Sequence, residues 1–281
     1  MLRVSSLTTS SPSSGAQQPP HSDWKDILFE LRALLHEPLR YHPNLVRLLG
    51  IQWGLSALSD SCYPVLIMEY ASFGTLDALQ GSVEPLSFGV KQKLCYDVGR
   101  GLSALHSSGI VHGDIKHENV LVFPSRDPVL GLPYTAKLGD FGGAVMDMTP
   151  EDFRRVETWT WPFQAPEVTD GRALTRPEMM STDVYSFGLL VWRTFTDGHG
   201  FVSLPGAAQD APDQDKRGLT AQKATEDFTL TALTDVRRYA NTRGISDACL
   251  DVISFSIFHT LRRSAADRDL TKAQLALRGI R

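Results

Sequence analysis

Apolar residues follow two different patterns along this chain, and the change between them restricts the folds that it can adopt. Two short, almost continuously apolar runs, residues 44–51 and 63–70, indicate buried strands. Downstream, apolar residues recur with helical spacing, most clearly in residues 87–109 and 183–195. We therefore expect an α+β protein in which a small sheet-bearing lobe joins a larger, mainly helical lobe.

Capping and helix-breaking residues predict several element boundaries. Ser87 is a candidate N-cap for the long helical segment that follows it, and Gly109 is a candidate C-cap. Pro38 should end or kink the helix that starts near Asp23. The stretch 196–218 is rich in Gly, Pro, Asp and Ala and is predicted to be a surface loop. Helical patterns return in residues 224–240 and 247–263.

Composition argues against several classes of partner. The net charge is −4 and no dense Lys/Arg stripe is present, so we expect no nucleic-acid binding. The longest apolar run, around residues 184–192, is too short to span a bilayer, so we expect no membrane insertion.

The N-terminal composition and the cysteines bear on localisation. Residues 1–22 are Ser- and Pro-rich without an apolar core, which predicts a disordered tail rather than a secretory signal. Because the segment also lacks acidic residues, a transit peptide is the alternative. The three cysteines are widely spaced and form no CxxC pair, which is typical of reduced thiols. We expect a cytoplasmic location by default, with the nucleus as the alternative, and no structural metal.

The segment Val111–Phe123 reads VHGDIKHENVLVF and places three polar groups between two apolar runs. A solvated turn needs only one Asp or Asn. The spacing suggests instead that Asp114 accepts a proton, Lys116 neutralises phosphoryl charge and Asn119 offers an amide oxygen to Mg²⁺. Asp140, in the stretch LGDFGG, would be a second and charged metal ligand.

These motifs, in this order, resemble the eukaryotic protein kinases. The family carries a catalytic loop, a DFG tripeptide and an APE tripeptide, and this sequence reads HGDIKHEN, DFG and APE, followed by DVYSFG. The resemblance runs from about Asp23 to Leu270, and its style is most similar to fungal kinase domains. It implies ATP and Mg²⁺ as cofactors and proteins as substrates. A lysine two places after the catalytic aspartate resembles serine/threonine kinases rather than tyrosine kinases.

On the nucleotide side, the resemblance implies roles for residues outside the catalytic loop. Glu30 corresponds to the glutamate of helix αC, and Asp140 to the metal-binding aspartate of DFG. Met68 corresponds to the gatekeeper. The backbone of Glu69 and Ala71 corresponds to the adenine contact in the hinge between the lobes.

On the substrate side, the resemblance implies a second set of roles. Thr160 would face the catalytic loop, and Asp183 would brace the backbone of that loop. Glu167 of the APE tripeptide would form a buried ion pair with Arg268. His112 would be a packed structural histidine rather than a catalytic base.

Two family features are not found in the residues before Glu30. A kinase needs a Gly-rich loop over the phosphates and a lysine that pairs with the αC glutamate. The only earlier glycine is Gly15, and the only earlier lysine, Lys25, belongs to the same predicted helix as Glu30. We therefore expect a partial N-lobe (23–71) that holds αC and the family's strands β4 and β5, followed by a C-lobe (72–281). Such a reduced N-lobe could be covered by a protein partner.

Three hypotheses for function follow. The first is a serine/threonine protein kinase whose first strands are lost from this sequence, for example through a misplaced start codon. The second is a pseudokinase, a binding or scaffold module with weak or no transfer, which the missing lysine favours. The third is a small-molecule kinase of the aminoglycoside or choline type, whose loops often read HGD; the APE and DVYSFG stretches argue against it.

Overall fold

The computed structural model describes residues 23–55, 62–82, 84–125, 132–149, 151–156 and 159–279. The predicted disordered tail, residues 1–22, lies outside them. The described residues form an α+β structure, as expected, in which helices predominate and the strands form two-stranded sheets. Within these residues, every helix is too short or too polar to cross a lipid bilayer.

The small lobe, as far as the structure describes it, contains one helix and one sheet. Helix α1 covers Asp23–Leu35 and ends shortly before Pro38, where a proline is expected to stop it. Strands β1 (Leu48–Leu55) and β2 (Cys62–Met68) pair antiparallel. A sheet of two strands is marginal by itself, so its stability must depend on contacts with the rest of the protein.

The first strand starts later than its apolar pattern predicts, because residues 44–46 pair with the large lobe instead. Leu138 N donates to Asn44 O across 2.9 Å, and Val46 N donates to Leu138 O across 2.8 Å. The side chain of Asn44 adds a third bond, from Nδ2 to Ala136 O at 3.0 Å. This short segment therefore joins the two lobes through backbone hydrogen bonds.

Two helices open the large lobe: α2 (Leu76–Ser82) and α3 (Phe88–Ser107). Ser87 caps α3 as predicted, because its side-chain oxygen accepts the Val90 N–H at 3.4 Å. Gly109 follows the helix with φ of +75°, a left-handed conformation that favours glycine. The core face of α3 is fully buried and carries Leu94, Val98, Leu102 and Leu105.

A hairpin follows the catalytic loop and positions the candidate metal ligands. A 3₁₀ turn, His117–Asn119, leads directly into strand β3 (Val120–Pro124). Strand β4 (Tyr134–Leu138) pairs antiparallel with β3. At the open end of the hairpin, Gly139 N donates to Asn119 O across 3.0 Å, so the chain before Asp140 lies against Asn119.

Helix α5 (Arg176–Phe195) is the buried centre of the large lobe, and it begins seven residues before its apolar pattern. Thr175 and Glu178 form a capping box at its start. The Thr175 side chain accepts the Glu178 N–H at 3.4 Å, and the Glu178 carboxylate accepts the Thr175 N–H at 2.8 Å. Three short elements lead into it: β5 (Phe153–Arg154), α4 (Pro166–Thr169) and β6 (Leu174–Thr175).

The prediction of a surface loop over 196–218 is wrong. A 3₁₀ turn, Gly200–Ser203, brings Phe201 into the core, where its ring lies 5.9 Å from Trp192 and 5.2 Å from Phe163. One large buried aromatic side chain outweighs the turn-forming composition around it. The remaining helices are α6 (Asp213–Lys223), α7 (Glu226–Arg243), α8 (Asp247–Thr260) and α9 (Leu270–Leu277).

Candidate active site

The backbone of the catalytic loop is held from α5 by the carboxylate of Asp183. One oxygen accepts the His112 N–H at 2.8 Å, and the other accepts the Gly113 N–H at 2.9 Å. His106 Nε2 lies 2.9 Å from the same carboxylate. Asp183 is buried, so these bonds must offset the cost of removing its charge from water. This geometry matches the bracing contact that the sequence resemblance implies.

His112 links the loop to the segment that precedes Asp140. Its Nδ1 accepts the Asp114 N–H at 3.3 Å, so Nε2 must carry the proton that it donates to Gly139 O at 3.2 Å. The ring is fully buried and lies 5.4 Å from the ring of Phe141. Both ring nitrogens are therefore engaged with the backbone, which fits a structural histidine and leaves none for proton transfer.

Asp114, Lys116, Asn119 and Thr160 form one hydrogen-bonded cluster. Lys116 Nζ donates to Asp114 Oδ2 at 2.6 Å and to Thr160 Oγ1 at 2.7 Å. Asn119 Nδ2 donates to the Asp114 carbonyl at 2.8 Å and to Oδ2 at 3.1 Å. The second carboxylate oxygen, Asp114 Oδ1, is buried and has no partner among the described residues. One oxygen is thus fixed by two donors while the other is left as an acceptor.

Asn119 and Asp140 provide oxygen atoms that suit a divalent cation. Because the Asn119 amide nitrogen is used on Asp114, its amide oxygen is the atom that could bind a metal. Asp140 is exposed and has φ of +62°, a strained value for a residue with a side chain. Amide and carboxylate oxygens are ligands that Mg²⁺ prefers, so the donor set fits this ion.

Glu30 of α1 lies near Asp140 in an unusual electrostatic environment. Burial, and to a smaller extent the negative charge of Asp140, raise the pKa of Glu30 to about 7. Among the side chains that the structure describes, no basic residue forms an ion pair with Glu30. The side chain of Lys25 lies outside them. Glu30 is therefore within electrostatic range of Asp140, and no described basic side chain compensates its carboxylate.

The predicted hinge follows β2. Met68 ends that strand and packs against the core, and Glu69 N donates to Arg47 O across 3.1 Å. The Glu69 carboxylate accepts from Lys137 Nζ at 2.5 Å and from Arg47 N at 2.9 Å. Ala71 follows with its carbonyl bonded to Gly74 N–H at 3.1 Å. No described hydrogen bond connects this segment to the Asp114 cluster.

Glu167 and Arg268 form the predicted ion pair in the core of the large lobe. Arg268 Nη1 and Nη2 donate to the two carboxylate oxygens at 2.5 Å and 3.0 Å. The guanidinium also donates to Ser181 O at 3.0 Å and lies 4.8 Å from the ring of Tyr185. The pair anchors α4, which directly follows the segment that carries Thr160.

Sequence reasoning missed two lysines that shape the site. Lys137 fixes the carboxylate of Glu69 and lies 4.8 Å from the ring of Phe123. Lys223 is buried beneath the Thr160 segment and donates to Pro162 O at 2.7 Å. Lys137 could have been suspected as the one charge in a strand of otherwise uncharged residues, whereas Lys223 ends a polar helix and carries no periodic signal.

Comparison with known proteins shows which family this sequence matches. The protein kinase domain family matches residues 15–262. The dual specificity testis-specific protein kinase 1 of Homo sapiens is 35% identical over 159 residues, which are 53% of this chain and 22% of that protein. The serine/threonine/tyrosine-protein kinase HT1 of Arabidopsis thaliana is 30% identical over 159 residues, 56% of this chain and 36% of that protein.

The first relatives differ greatly from this chain in length. It spans between 9% and 36% of four of these relatives, so most of each relative has no counterpart here. The family match, by contrast, extends over most of the chain and includes the catalytic loop, Asp140 and the Glu167 segment. This chain belongs to the protein kinase domain family.

Proposed function

We propose that this chain transfers the γ-phosphoryl group of ATP to serine or threonine hydroxyls of protein substrates. The observation that carries the proposal is the state of the Asp114 carboxylate. One oxygen is fixed by Lys116 and Asn119, and the other is buried without a partner among the described residues. A substrate hydroxyl would satisfy that oxygen and give it the proton to accept.

Each neighbouring residue has a role in this proposal. Asp114 orients the hydroxyl and accepts its proton, and Lys116 stabilises charge on the phosphoryl group in transfer. Asn119 and Asp140 would hold Mg²⁺, which when bound neutralises phosphate charge. Met68 and the Glu69–Ala71 backbone would contact the adenine, as the family resemblance suggests.

The choice of serine or threonine rests on Lys116 and Thr160. The lysine is held between Asp114 and Thr160, so its ammonium group lies beside the proposed base. This arrangement resembles serine/threonine kinases. Two similar proteins carry dual-specificity or serine/threonine/tyrosine names. The experiment must therefore distinguish phosphorylation of tyrosine from that of serine or threonine.

A pseudokinase is the second candidate, and Glu30 favours it. Its carboxylate is partly buried and within the electrostatic influence of Asp140, and no described basic side chain pairs with it. In an active kinase this glutamate pairs with a lysine that also contacts the phosphates. Without that lysine, we expect Mg·ATP to bind weakly to these 281 residues, and the domain would then act as a binding module.

The test is transfer of labelled phosphate from ATP to a degenerate peptide library by the 281-residue chain. The proposal predicts label on serine or threonine, located by mass spectrometry, and its loss in Asp114→Asn. The matched control is Asp210→Asn, which changes an exposed carboxylate in a loop. Label that persists in Asp114→Asn would overturn the proposed base. A folded chain that neither binds Mg·ATP nor transfers phosphate would favour the pseudokinase.

A further inference from the structure

A buried lysine supports the backbone of the segment that carries Thr160. Lys223 is the last residue of α6, and its Nζ donates to Pro162 O at 2.7 Å and also to Gln164 O. The carbonyl between these two, Phe163 O, accepts from Ser186 Oγ at 2.8 Å. Three consecutive carbonyls are thus bonded from behind by side chains of α5 and α6.

The surroundings of Lys223 make this contact energetically demanding. The residue is 2% exposed and forms no ion pair among the described side chains. Burial lowers the pKa of its amine to about 7, against the opposing attraction of Glu167. The rings of Tyr185 and Trp161 lie 5.5 Å and 5.8 Å from Nζ and stabilise its charged form. An apolar residue would avoid this cost but would leave two buried carbonyls unbonded.

The segment transmits the position of Lys223 to the candidate active site. Phe163 N donates to Thr160 O across 2.8 Å, which closes a tight turn directly above the lysine. At the other end of that turn, Thr160 Oγ1 accepts from Lys116, the residue that fixes Asp114. A shift of the 162–164 carbonyls would therefore displace Thr160.

The loop that precedes α6 also contacts this turn. Trp161 Nε1 donates to Gly206 O at 2.8 Å, so its side chain is held by the loop that precedes α6. Gly206 has no room for a side chain, because a Cβ there would meet the backbone of Asp215 at the start of α6. The turn is thus held on two sides by α6 and its preceding loop.

We propose that Lys223 is a positioning residue that fixes the substrate-facing turn 160–164, and through Thr160 the Lys116–Asp114 pair, from the far side of the segment. This inference rests on the proposed transfer to protein substrates. Lys223 touches neither the reacting atoms nor the nucleotide-side residues, so its loss should weaken the use of protein substrate and not of ATP.

The test compares Lys223→Met with Lys216→Met. Both remove a lysine of α6 that donates to a backbone carbonyl, but Lys216 bonds Gln209 O at the surface, at 2.6 Å. The first readout is backbone hydrogen exchange. In Lys223→Met we expect exchange of the Phe163 amide to accelerate about tenfold or more while α5 and α8 keep their protection. Lys216→Met should leave this amide unchanged.

The second readout is steady-state kinetics with a peptide substrate. Lys223→Met should raise KM for peptide about tenfold, with KM for ATP within about twofold of the parent. An equal rise in KM for peptide and KM for ATP would overturn the inference, as would unchanged exchange at Phe163. If Lys223→Met does not fold, Lys223→Gln, which keeps an amide donor, takes its place. Global unfolding of both would show a general stability role and overturn the inference.

The two readouts separate this inference from the proposed function. If the parent chain transfers no phosphate, the proposed function fails, yet exchange at Phe163 still decides whether Lys223 fixes the turn. If the parent chain is active and exchange is unchanged in Lys223→Met, the proposed function stands and the positioning role fails.

Discussion

Arg268 and Glu167 lie 101 residues apart in the chain and form a two-pronged ion pair in the interior of the large lobe. The Arg268 side chain is completely buried, and that of Glu167 nearly so. Removal of one partner would leave the other as an uncompensated buried charge, whereas removal of both would not. Variants of this pair therefore test how strongly it holds α4, and the Thr160 segment before it, to the helical core.

We expect Arg268→Met to lower the free energy of unfolding by about 3–5 kcal/mol, because Glu167 is left buried and unpaired. The double variant Arg268→Met/Glu167→Gln should lose less than Arg268→Met alone. Urea unfolding followed by tryptophan fluorescence measures both. A double variant that loses the sum of the two single effects would contradict this account of coupling.

The Asp183 carboxylate gives a second stability prediction. Asp183→Ala would leave the buried N–H of His112 and the half-buried N–H of Gly113 without their acceptor, at a cost of about 3 kcal/mol. Asp251→Ala, at an exposed position on α8, is the control and should change stability by less than about 0.5 kcal/mol. Equal unfolding midpoints for the two variants would argue against the bracing role.

The bond between Lys116 and Thr160 gives a prediction for activity. Thr160→Val keeps the shape of the side chain but removes the oxygen that accepts from Lys116, so we expect kcat/KM to fall about tenfold or more. Thr160→Ser keeps that oxygen and should stay within about threefold of the parent. Steady-state rates with a serine peptide measure both. A loss in Thr160→Ser without a loss in Thr160→Val would mean that the methyl group, rather than the hydrogen bond, matters.

Gly206 and Gly218 give a matched pair of glycine substitutions around α6. Gly206 has φ of +82° and no space for a Cβ, so Gly206→Ala should destabilise the protein by about 3 kcal/mol. Gly218 lies within α6 with open space around it, so Gly218→Ala should stabilise it by about 0.5–1 kcal/mol. Thermal unfolding of both variants measures these changes in stability. The same sign for both changes would contradict the tight contact at Gly206.

The capping box of α5 predicts a pH dependence of stability. The backbone N–H of Thr175 and, less strongly, its hydroxyl and Arg172 lower the pKa of Glu178 in the folded state. A lowered folded-state pKa adds stability above the unfolded value near 4.5, and this stability disappears as the pH falls through the folded-state pKa. The free energy of unfolding of the parent should fall between pH 6 and pH 3. In Glu178→Gln this fall should be smaller, by less than about 1 kcal/mol. Glu84→Gln, at an exposed position before α3, is the control.

Local sequence was enough to predict the parts of this protein that depend on local chemistry. The helix capped by Ser87 has the stripe of apolar residues and the cap that the sequence indicated. The HGDIKHEN spacing predicted a polar cluster, and Asp114, Lys116 and Asn119 do lie within hydrogen-bond distance. These residues are close in the chain, so one short loop can bring them together.

Features that depend on distant partners could not be read in the same way. The apolar pattern predicts that a strand starts at residues 44–46. These residues pair instead with Ala136 and Leu138, so β1 starts at Leu48. In the Gly- and Pro-rich stretch 196–218, Phe201 lies in the core because it packs against Trp192. In both cases, a long-range contact outweighed the local pattern.

The sequence by itself determined the identity and order of the chemical groups and the helices that carry them, because apolar periodicity and motif spacing are local properties. Only the tertiary structure decided that Asp114 has one fixed and one unpartnered oxygen, and that Lys223 lies under the Thr160 turn. Burial and hydrogen-bond partners are set by residues far away in the chain, and no periodicity records which distant groups will meet.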